Sequence, residues 1–430
     1  MARQDAKPQR KPIRKNFFAP LRLGVRIGFC FALLLCQAVS TPAQTFEMRG
    51  FVETTGVFYP QTAPGDSGQA VGNGRVQYEA FWRPLSSLRF AGGIDAETDS
   101  HLQVERTAHL SWWDRERQRP AFAVRRLSLA WDHDRLSVEL GKQFIRWGKA
   151  DVLNPTDRFA PRDFLNVVDN EFLAVWATRL TYGTQSNTVD LVWAPRFTPS
   201  RIPLLGQRWA PVPAGVPVTE TEPSFPGGQQ VGARWNHIGK FAEYSFSFYQ
   251  GYSNLPVLPV TVRPQPLSIE LQRQYPQMRM YGGDIAVPLK WVTLKGEAGY
   301  FTSTSRQADE YALYVVQMER QAGEWFFIGG YSGEVVTDRR ALLYFSPERG
   351  FARALLGRAG YTIDTNRSVA LETVVRQDGK GLWVKLEYTQ AFGQHWRLIG
   401  GYALIRGSDG DFLGQYRHNS HLILVLRYSF

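Results

Sequence analysis

One stretch in the first half of the chain concentrates charged residues of both signs. Between Arg146 and Asn166 the turn-forming residues Asn154, Pro155 and Pro161 predict an ordered loop. Its charged residues are Arg146, Lys149, Asp151, Asp157, Arg158, Arg162 and Asp163. Because opposed charges across a narrow polar passage orient and filter dissolved molecules, we predict a pore constriction where the four bases face the three acids. A surface loop held by its own salt bridges is the alternative.

The same stretch contains oxygen donors of the kind that a hard cation such as Ca²⁺ prefers. These donors are Asp151, Asn154, Asp157 and Asp163. Their spacing differs from that of an EF-hand loop. We therefore predict no metal site, and we expect no cofactor.

The histidines of the chain do not form a catalytic pattern. They are His101, His109, His133, His237, His395, His418 and His421. No H-x-x-x-H pair and no G-x-S-x-G turn occurs, so we predict that the protein is not an enzyme.

The elements that must position the charged loop are β-strands with one apolar face. Runs such as Val189-Leu191-Trp193 and Leu382-Val384-Leu386 place apolar residues at every second position, with polar residues between them. About eighteen such runs follow residue 44, and sixteen is the alternative count. Short connections alternate with long ones, including residues 146–172 and 195–228. This alternation predicts an all-β fold, a closed antiparallel transmembrane barrel.

The last ten residues, HLILVLRYSF, fit the closing strand of such a barrel. An apolar strand here leaves an unpaired edge unless it meets the first strand of the same sheet. The stretch resembles the end of bacterial outer-membrane β-barrel proteins, whose terminal Phe and alternating apolar residues are read by the barrel-assembly machinery. By this resemblance the assembly signal is Leu422, Leu424, Leu426, Tyr428 and Phe430.

A second resemblance covers some two dozen residues of the charged loop. The segment GKQFIRWGKADVLNPTDRFAPRDF is similar to a run found in large porin-like barrel proteins whose solutes are mostly uncharacterised. The resemblance implies the barrel architecture and not a particular substrate.

The first 43 residues differ in composition from the rest. Eight bases and one acid precede a short apolar run, GFCFALLLC, which predicts a cleaved secretory signal peptide at 1–43 and an outer-membrane barrel at 44–430. Without that segment the net charge falls from +11 to +4. Since no basic block with interleaved aromatic residues remains, we do not expect nucleic acid as a partner. Both cysteines, Cys30 and Cys36, lie within the segment.

Taken together, these patterns predict a porin-like channel in the outer membrane of a Gram-negative bacterium. It would allow passive diffusion of small polar solutes, with residues 146–172 as a loop that constricts the lumen. Its other partners would be outer-membrane lipid and, during biogenesis, the barrel-assembly machinery. Three alternatives remain: an export or adhesion barrel without an open pore, a barrel hydrolase that uses His421, and a soluble secreted β protein.

Overall fold

Eighteen long antiparallel strands form a closed barrel in the computed structural model, which describes residues 45–211, 217–265, 267–341 and 343–430. The strands are β1 (Thr45–Phe58), β2 (Ala70–Leu85), β3 (Leu88–Asp99), β4 (Phe122–His133), β5 (Leu136–Gln143), β6 (Val175–Gly183), β7 (Asn187–Ala194), β8 (Gln230–Ile238), β9 (Glu243–Tyr252), β10 (Gln277–Pro288), β11 (Thr293–Thr302), β12 (Glu310–Ala322), β13 (Trp325–Asp338), β14 (Ala354–Asp364), β15 (Arg367–Arg376), β16 (Gly381–Phe392), β17 (Trp396–Gly407) and β18 (His421–Ser429). The all-β barrel of about eighteen strands is confirmed. The signal peptide assigned to residues 1–43 lies outside the described residues.

The barrel closes where the last strand meets the first. Strand β18 pairs with β1 from Phe51↔Ser429 to Phe58↔Leu422. Beyond this ladder, Phe430 and Gly50 exchange two backbone hydrogen bonds of 3.0 Å each. The sheet therefore has no free edge along this seam, which is the condition for satisfying backbone groups without water.

The two faces of each strand differ as the sequence pattern predicts. On β18, Leu424 is 56% exposed on the outer face, whereas its neighbour Val425 is 9% exposed on the inner face. On the inner face Arg427 forms an ion pair with Glu53 of β1. The barrel is thus apolar outside and polar inside.

The two ends of the barrel carry different connections. At one end, here called the turn end, residues such as 86–87, 134–135 and 323–324 join strands by tight turns. At the opposite loop end, the longest connections span residues 100–121, 144–174, 195–229 and 253–276. Strand β2 extends from Ala70, because it pairs with the whole of β1.

The loops contain small elements that the sequence pattern did not reveal. These are the hairpin Arg162–Asp163 with Glu171–Phe172, the strand Leu110–Ser111 along β4, a sheet of Val218–Glu220, Val260–Pro264 and Leu267–Leu271, the helix α1 (Pro347–Gly350) and a 3₁₀ turn at Gly414–Asn419. Among the described residues, no helix is long and apolar enough to cross a bilayer.

Buried apolar residues lie inside the barrel, where the loops pack against the wall. Trp147, Leu153 and Phe159 of the loop contact a cluster that includes Tyr249 of β9 and Met280 of β10. The loop that carries Trp147 therefore turns into the lumen.

Candidate functional site: the inner loop and the cavity beside it

Residues 144–174, here called the inner loop, leave β5 at the loop end and enter the barrel. The Glu297 carboxylate on β11 holds the first part of this loop. It accepts hydrogen bonds from the backbone amides of Lys149 (2.9 Å), Ala150 (3.0 Å) and Thr156 (2.9 Å). The Thr156 hydroxyl also donates to this carboxylate at 2.8 Å. A single buried acid therefore fixes several backbone groups of the loop.

Charged side chains add further contacts between the inner loop and the wall of β8 to β12. The Lys149 ammonium lies 2.7 Å from Glu243 and 3.2 Å from Asp284. Asp151 lies 3.2 Å from the Lys295 ammonium. These pairs run along one side of the barrel, so the first half of the inner loop is attached to that side.

The Asp157 carboxylate orders a turn within the inner loop. Its carboxylate accepts hydrogen bonds from the amides of Trp147 (2.5 Å) and Gly148 (2.7 Å) and from the Arg146 guanidinium (3.2 Å). The guanidinium of Arg158 reaches out of the loop to Glu348 at 3.0 Å. The loop is thus ordered by its own side chains as well as by the wall.

The second half of the inner loop is held by a chain of buried ion pairs. Asp163 lies 2.9 Å from Arg119 and 3.3 Å from Arg201. Arg201 also contacts Asp114 at 2.8 Å, and Asp114 contacts the Lys142 ammonium at 2.5 Å. This chain, here called the loop clasp, joins the loops 100–121, 144–174 and 195–229 to strand β5.

The charge state of Asp163 follows from these partners. Burial raises the pKa of the Asp163 carboxyl, but the guanidiniums of Arg119 and Arg201 outweigh that effect and hold it below its ordinary value. A depressed pKa in the folded state means that the ionised carboxylate stabilises the fold at neutral pH. This contribution is lost as the pH falls through the folded-state pKa.

We expect Asp163→Asn to lower the midpoint of thermal unfolding at pH 7, because it leaves two buried guanidiniums without their shared partner. Breaking a buried pair costs roughly 3–5 kcal/mol. The difference from wild type is expected to shrink in acid, below the ordinary Asp pKa of about 3.9. Intrinsic tryptophan fluorescence at both pH values measures it.

The matched control is Asp364→Asn, since Asp364 forms an exposed pair with Arg367 and exposed pairs contribute about 0–1 kcal/mol. A difference between Asp163→Asn and wild type that stays constant from pH 7 into acid would contradict the assignment.

Two arginines of the predicted set flank one aromatic ring. The guanidinium carbons of Arg146 and Arg162 each lie 4.1 Å from the centre of the Phe172 ring. Cation–π contacts of this kind stabilise a cation where full hydration is lost. Arg146 and Arg162 are therefore held against the Phe172 ring, whereas Lys149, Asp151 and Asp163 are bonded to the wall and to other loops.

The predicted arrangement of four bases facing three acids across an opening is not what the structure shows. Among the described residues, Arg146–Asp157 is the only ion pair within the predicted set of seven. Lys149, Asp151, Arg158 and Asp163 pair with residues of the wall or of neighbouring loops. Arg162 donates to Asn154 and Asn170 within the inner loop. The physical reason is that the inner loop runs along the barrel wall, so its charges meet wall partners first.

An open cavity of about 220 Å³ lies between the second half of the inner loop and the inner faces of β1 to β4. Arg75 of β2 lines this cavity and lies 2.8 Å from Asp95, 3.3 Å from Glu97 and 2.7 Å from Glu171 of the inner loop. Arg125 adds a contact of 3.4 Å to Asp95. The lining of the cavity thus carries charges of both signs.

Sequence reasoning did not single out these cavity residues. The sequence did contain a signal, because the inward-facing positions of two paired strands are polar. These positions are Arg75, Gln77 and Glu79 on β2 and Asp95 and Glu97 on β3. Polar or charged residues at every second position of two consecutive strands indicate a wet interior face.

The calcium alternative does not fit the arrangement of its four proposed ligands. Asp151 pairs with Lys295, Asp157 accepts backbone amides, and Asp163 binds two arginines. Within the described part of the chain, no three side chains of His, Cys, Asp or Glu gather as a metal site would require. The oxygens are directed to different partners.

The hydrolase alternative required His421 on the lipid-facing surface. His421 instead lies on the inner face, 3% exposed, with its ring 5.3 Å from that of Tyr59. Its Nδ1 is 2.8 Å from the Asn419 carbonyl oxygen, and the neighbouring Ser420 hydroxyl accepts the Ile405 amide at 3.0 Å. This geometry does not provide a lipid-facing Ser–His pair.

The five residues of the predicted assembly signal alternate along the outer face beside the seam. Leu422, Leu424, Leu426 and Phe430 are exposed there, and the Tyr428 ring packs against Trp396 at 5.0 Å. Their role in assembly stays a prediction.

Comparison with solved structures shows which known fold this is. OccAB4 of Acinetobacter baumannii aligns with a TM-score of 0.55 at 10% identity, over 91% of this chain and all (100%) of that one. A BenF-like porin from Pseudomonas fluorescens aligns with a TM-score of 0.53 at 9% identity, over 90% and 98% of the two chains. The chain has the porin barrel fold.

OpdQ of Pseudomonas aeruginosa aligns similarly, with a TM-score of 0.51 at 8% identity over 91% of this chain and 99% of that one. A scan against protein-family models and a search of curated proteins gave no match. The porin fold is therefore shared at low sequence identity, and the residues of the cavity must be interpreted from their own chemistry.

Proposed function

We propose that the protein is an outer-membrane channel for passive diffusion of small polar solutes. The observation that carries this proposal is the cavity between the inner loop and β1 to β4, which is lined by charges of both signs inside a closed barrel whose outer face is apolar. An apolar exterior suits the hydrocarbon core of a bilayer. A wet interior with charges of both signs suits hydrated solutes.

Aromatic side chains on the outer face support the membrane location. Trp131, Trp325 and Trp396 are exposed close to the turn end, and Trp193 and Tyr281 close to the loop end. Rings with a polar edge prefer the boundary between headgroups and hydrocarbon. In this proposal residues 1–43 direct export, and the barrel-assembly machinery reads the terminal strand.

The inner loop is the element that we propose to narrow the lumen. It fills the side next to β8 to β12 and leaves the cavity on the side of β1 to β4. Solutes would therefore pass through this cavity, beside the Arg75–Glu171 ion pair that joins the loop to β2.

Single-channel recording in a planar bilayer tests the proposed function. The purified barrel is expected to give stepwise conductance, and proteoliposomes that contain it are expected to swell in small sugars and amino acids. A protein that inserts, keeps its heat-modifiable fold and gives no conductance would favour the export or adhesion barrel without an open pore.

The exposed acids of the cavity are expected to influence which ions pass. Asp169 and Glu171 have side chains 49% and 58% exposed, whereas Arg75 is only 11% exposed. Replacing both acids by amides, Asp169→Asn with Glu171→Gln, is expected to lower the cation-to-anion permeability ratio, because negative charge is removed from the solute path.

The reversal potential in a KCl gradient measures this change. Asp134→Asn is the control, since Asp134 is an exposed acid in the turn between β4 and β5, outside the lumen. A shift of equal size in both variants would show that Asp169 and Glu171 do not border the conducting path.

A further inference from the structure

Part of the loop 100–121 lies outside the barrel, against the lipid-facing side of the wall. The Trp176 side chain of β6 donates a 2.9 Å hydrogen bond to the Trp112 carbonyl oxygen, and its ring lies 5.3 Å from that of Trp113. Trp176 belongs to the outward-facing set of β6, because the alternate residues Val175 and Ala177 are buried inside. This contact lies on the apolar outer face of the sheet. We call the surface formed by Trp112, Trp113, Trp176, Trp193, Arg115 and Arg196 the outer patch.

The outer patch exposes aromatic rings at the loop end of the barrel. Trp112 and Trp113 are 43% and 39% exposed, and Trp193 at the end of β7 is 45% exposed. In a membrane, exposed tryptophans at this level of a barrel lie among the lipid headgroups.

Two arginines stand in the outer patch without an acidic partner. The exposed Arg196 guanidinium stacks on Trp113 at 3.9 Å from the ring centre. Arg115 donates from Nε (3.0 Å) and Nη2 (2.8 Å) to the Phe197 carbonyl oxygen. Across the residues that the structure describes, no carboxylate lies within ion-pair distance of either guanidinium, although most other arginines of the loops have one.

The two guanidiniums are also close enough to affect each other. Burial and the neighbouring charge of Arg196 lower the pKa of Arg115. Two like charges held near each other at a membrane boundary are unfavourable until an anion neutralises them.

We propose that the outer patch binds the phosphate group of a lipid in the leaflet next to the long loops. Planar guanidiniums bind phosphate oxygens through paired, charge-assisted hydrogen bonds. The exposed tryptophans place this site at headgroup depth, and the apolar wall below accepts acyl chains. This site rests on the proposed membrane location and is independent of whether the barrel conducts.

Native mass spectrometry of the full folded barrel in detergent tests the site, with diphosphoryl lipid A as the probe and phosphatidylcholine as the zwitterionic comparison. Wild type is expected to retain lipid A in preference to phosphatidylcholine. Arg115→Gln with Arg196→Gln is expected to weaken lipid A binding about tenfold, which is the effect of losing one to two charge-assisted bonds.

The matched control is Arg106→Gln with Arg117→Gln. These arginines lie in the same loop, but they pair with Asp99 and with Glu220. This control is expected to bind lipid A as wild type does. Arg196→Gln alone serves as a second variant that is expected to fold, because Arg196 is exposed and stacks on the exposed Trp113 ring.

Equal loss of lipid A binding in the two double variants would overturn the proposal, as would equal retention of both lipids by wild type. Protein dimers that disappear only in the Arg115 and Arg196 variants would assign the outer patch to a second copy and also overturn it. The double variant is expected to keep wild-type conductance, so a failure of this site is distinguishable from a failure of the channel.

Discussion

Removing residues 151–163 and joining the ends with a short Gly-Ser linker is expected to raise single-channel conductance several-fold. The deleted segment contains Asp157, which orders the loop, and Asp163, which holds the loop clasp. Without it the lumen beside β8 to β12 is open to water, and conductance rises with the cross-section of the narrowest part. Planar-bilayer recording in KCl measures the change.

A point variant separates the position of the inner loop from the effects of a deletion. Glu297→Gln keeps the size of the side chain but replaces a carboxylate that accepts three backbone amides. An amide presents its own N–H groups to those donors, so we expect a less firmly held loop and noisier open-channel current.

Glu387→Gln is the control for that variant, because Glu387 lies on the inner face and contacts Lys385 at 3.4 Å. This variant is expected to keep the open-channel noise of wild type. If the deletion and Glu297→Gln both leave conductance and noise at wild-type values, the inner loop is not part of the conducting path.

The second large effect is expected at the seam. A Cβ atom on Gly50 would lie 2.6 Å from the Gln77 carbonyl oxygen and 2.7 Å from the Phe430 ring. Since the first of these contacts is with backbone, Gly50→Ala cannot be accommodated by a side-chain rotation alone. Overpacking of this kind costs roughly 1–3 kcal/mol. We expect much less folded barrel, measured as the heat-modifiable band on a gel.

Gly56 supplies a control on the same strand and the same face. A Cβ atom on Gly56 would meet no atom within 4 Å. Gly56→Ala is therefore expected to fold at the wild-type yield. Similar yields for the two alanine variants would mean that the close approach of Phe430 to β1 does not limit barrel closure.

The strands were predictable because each one carries its own signal. Alternation along Leu422, Leu424 and Leu426 identifies the outer face of β18 without reference to any other strand. The regular exchange of tight turns and long loops then indicates the barrel and its strand number.

The arrangement of the inner loop was not predictable from such local signals. Lys149 and Glu297 are separated by 148 residues, and no feature of either segment specifies the other. Charge alternation identified a structured polar loop, but the partners of its charges depend on where the loop enters the barrel. For the same reason Arg75 and Glu171 were not connected, although they meet at 2.7 Å.

The loop clasp affects how the channel responds to changes in the salt concentration around the cell. Asp114, Asp163 and Arg201 are almost wholly shielded from solvent, and mobile ions screen such groups far less than they screen charges on a surface. We therefore expect the cross-section of the channel to be independent of the external salt concentration. The rate at which a cell takes up solute would then not change with the salinity of its surroundings.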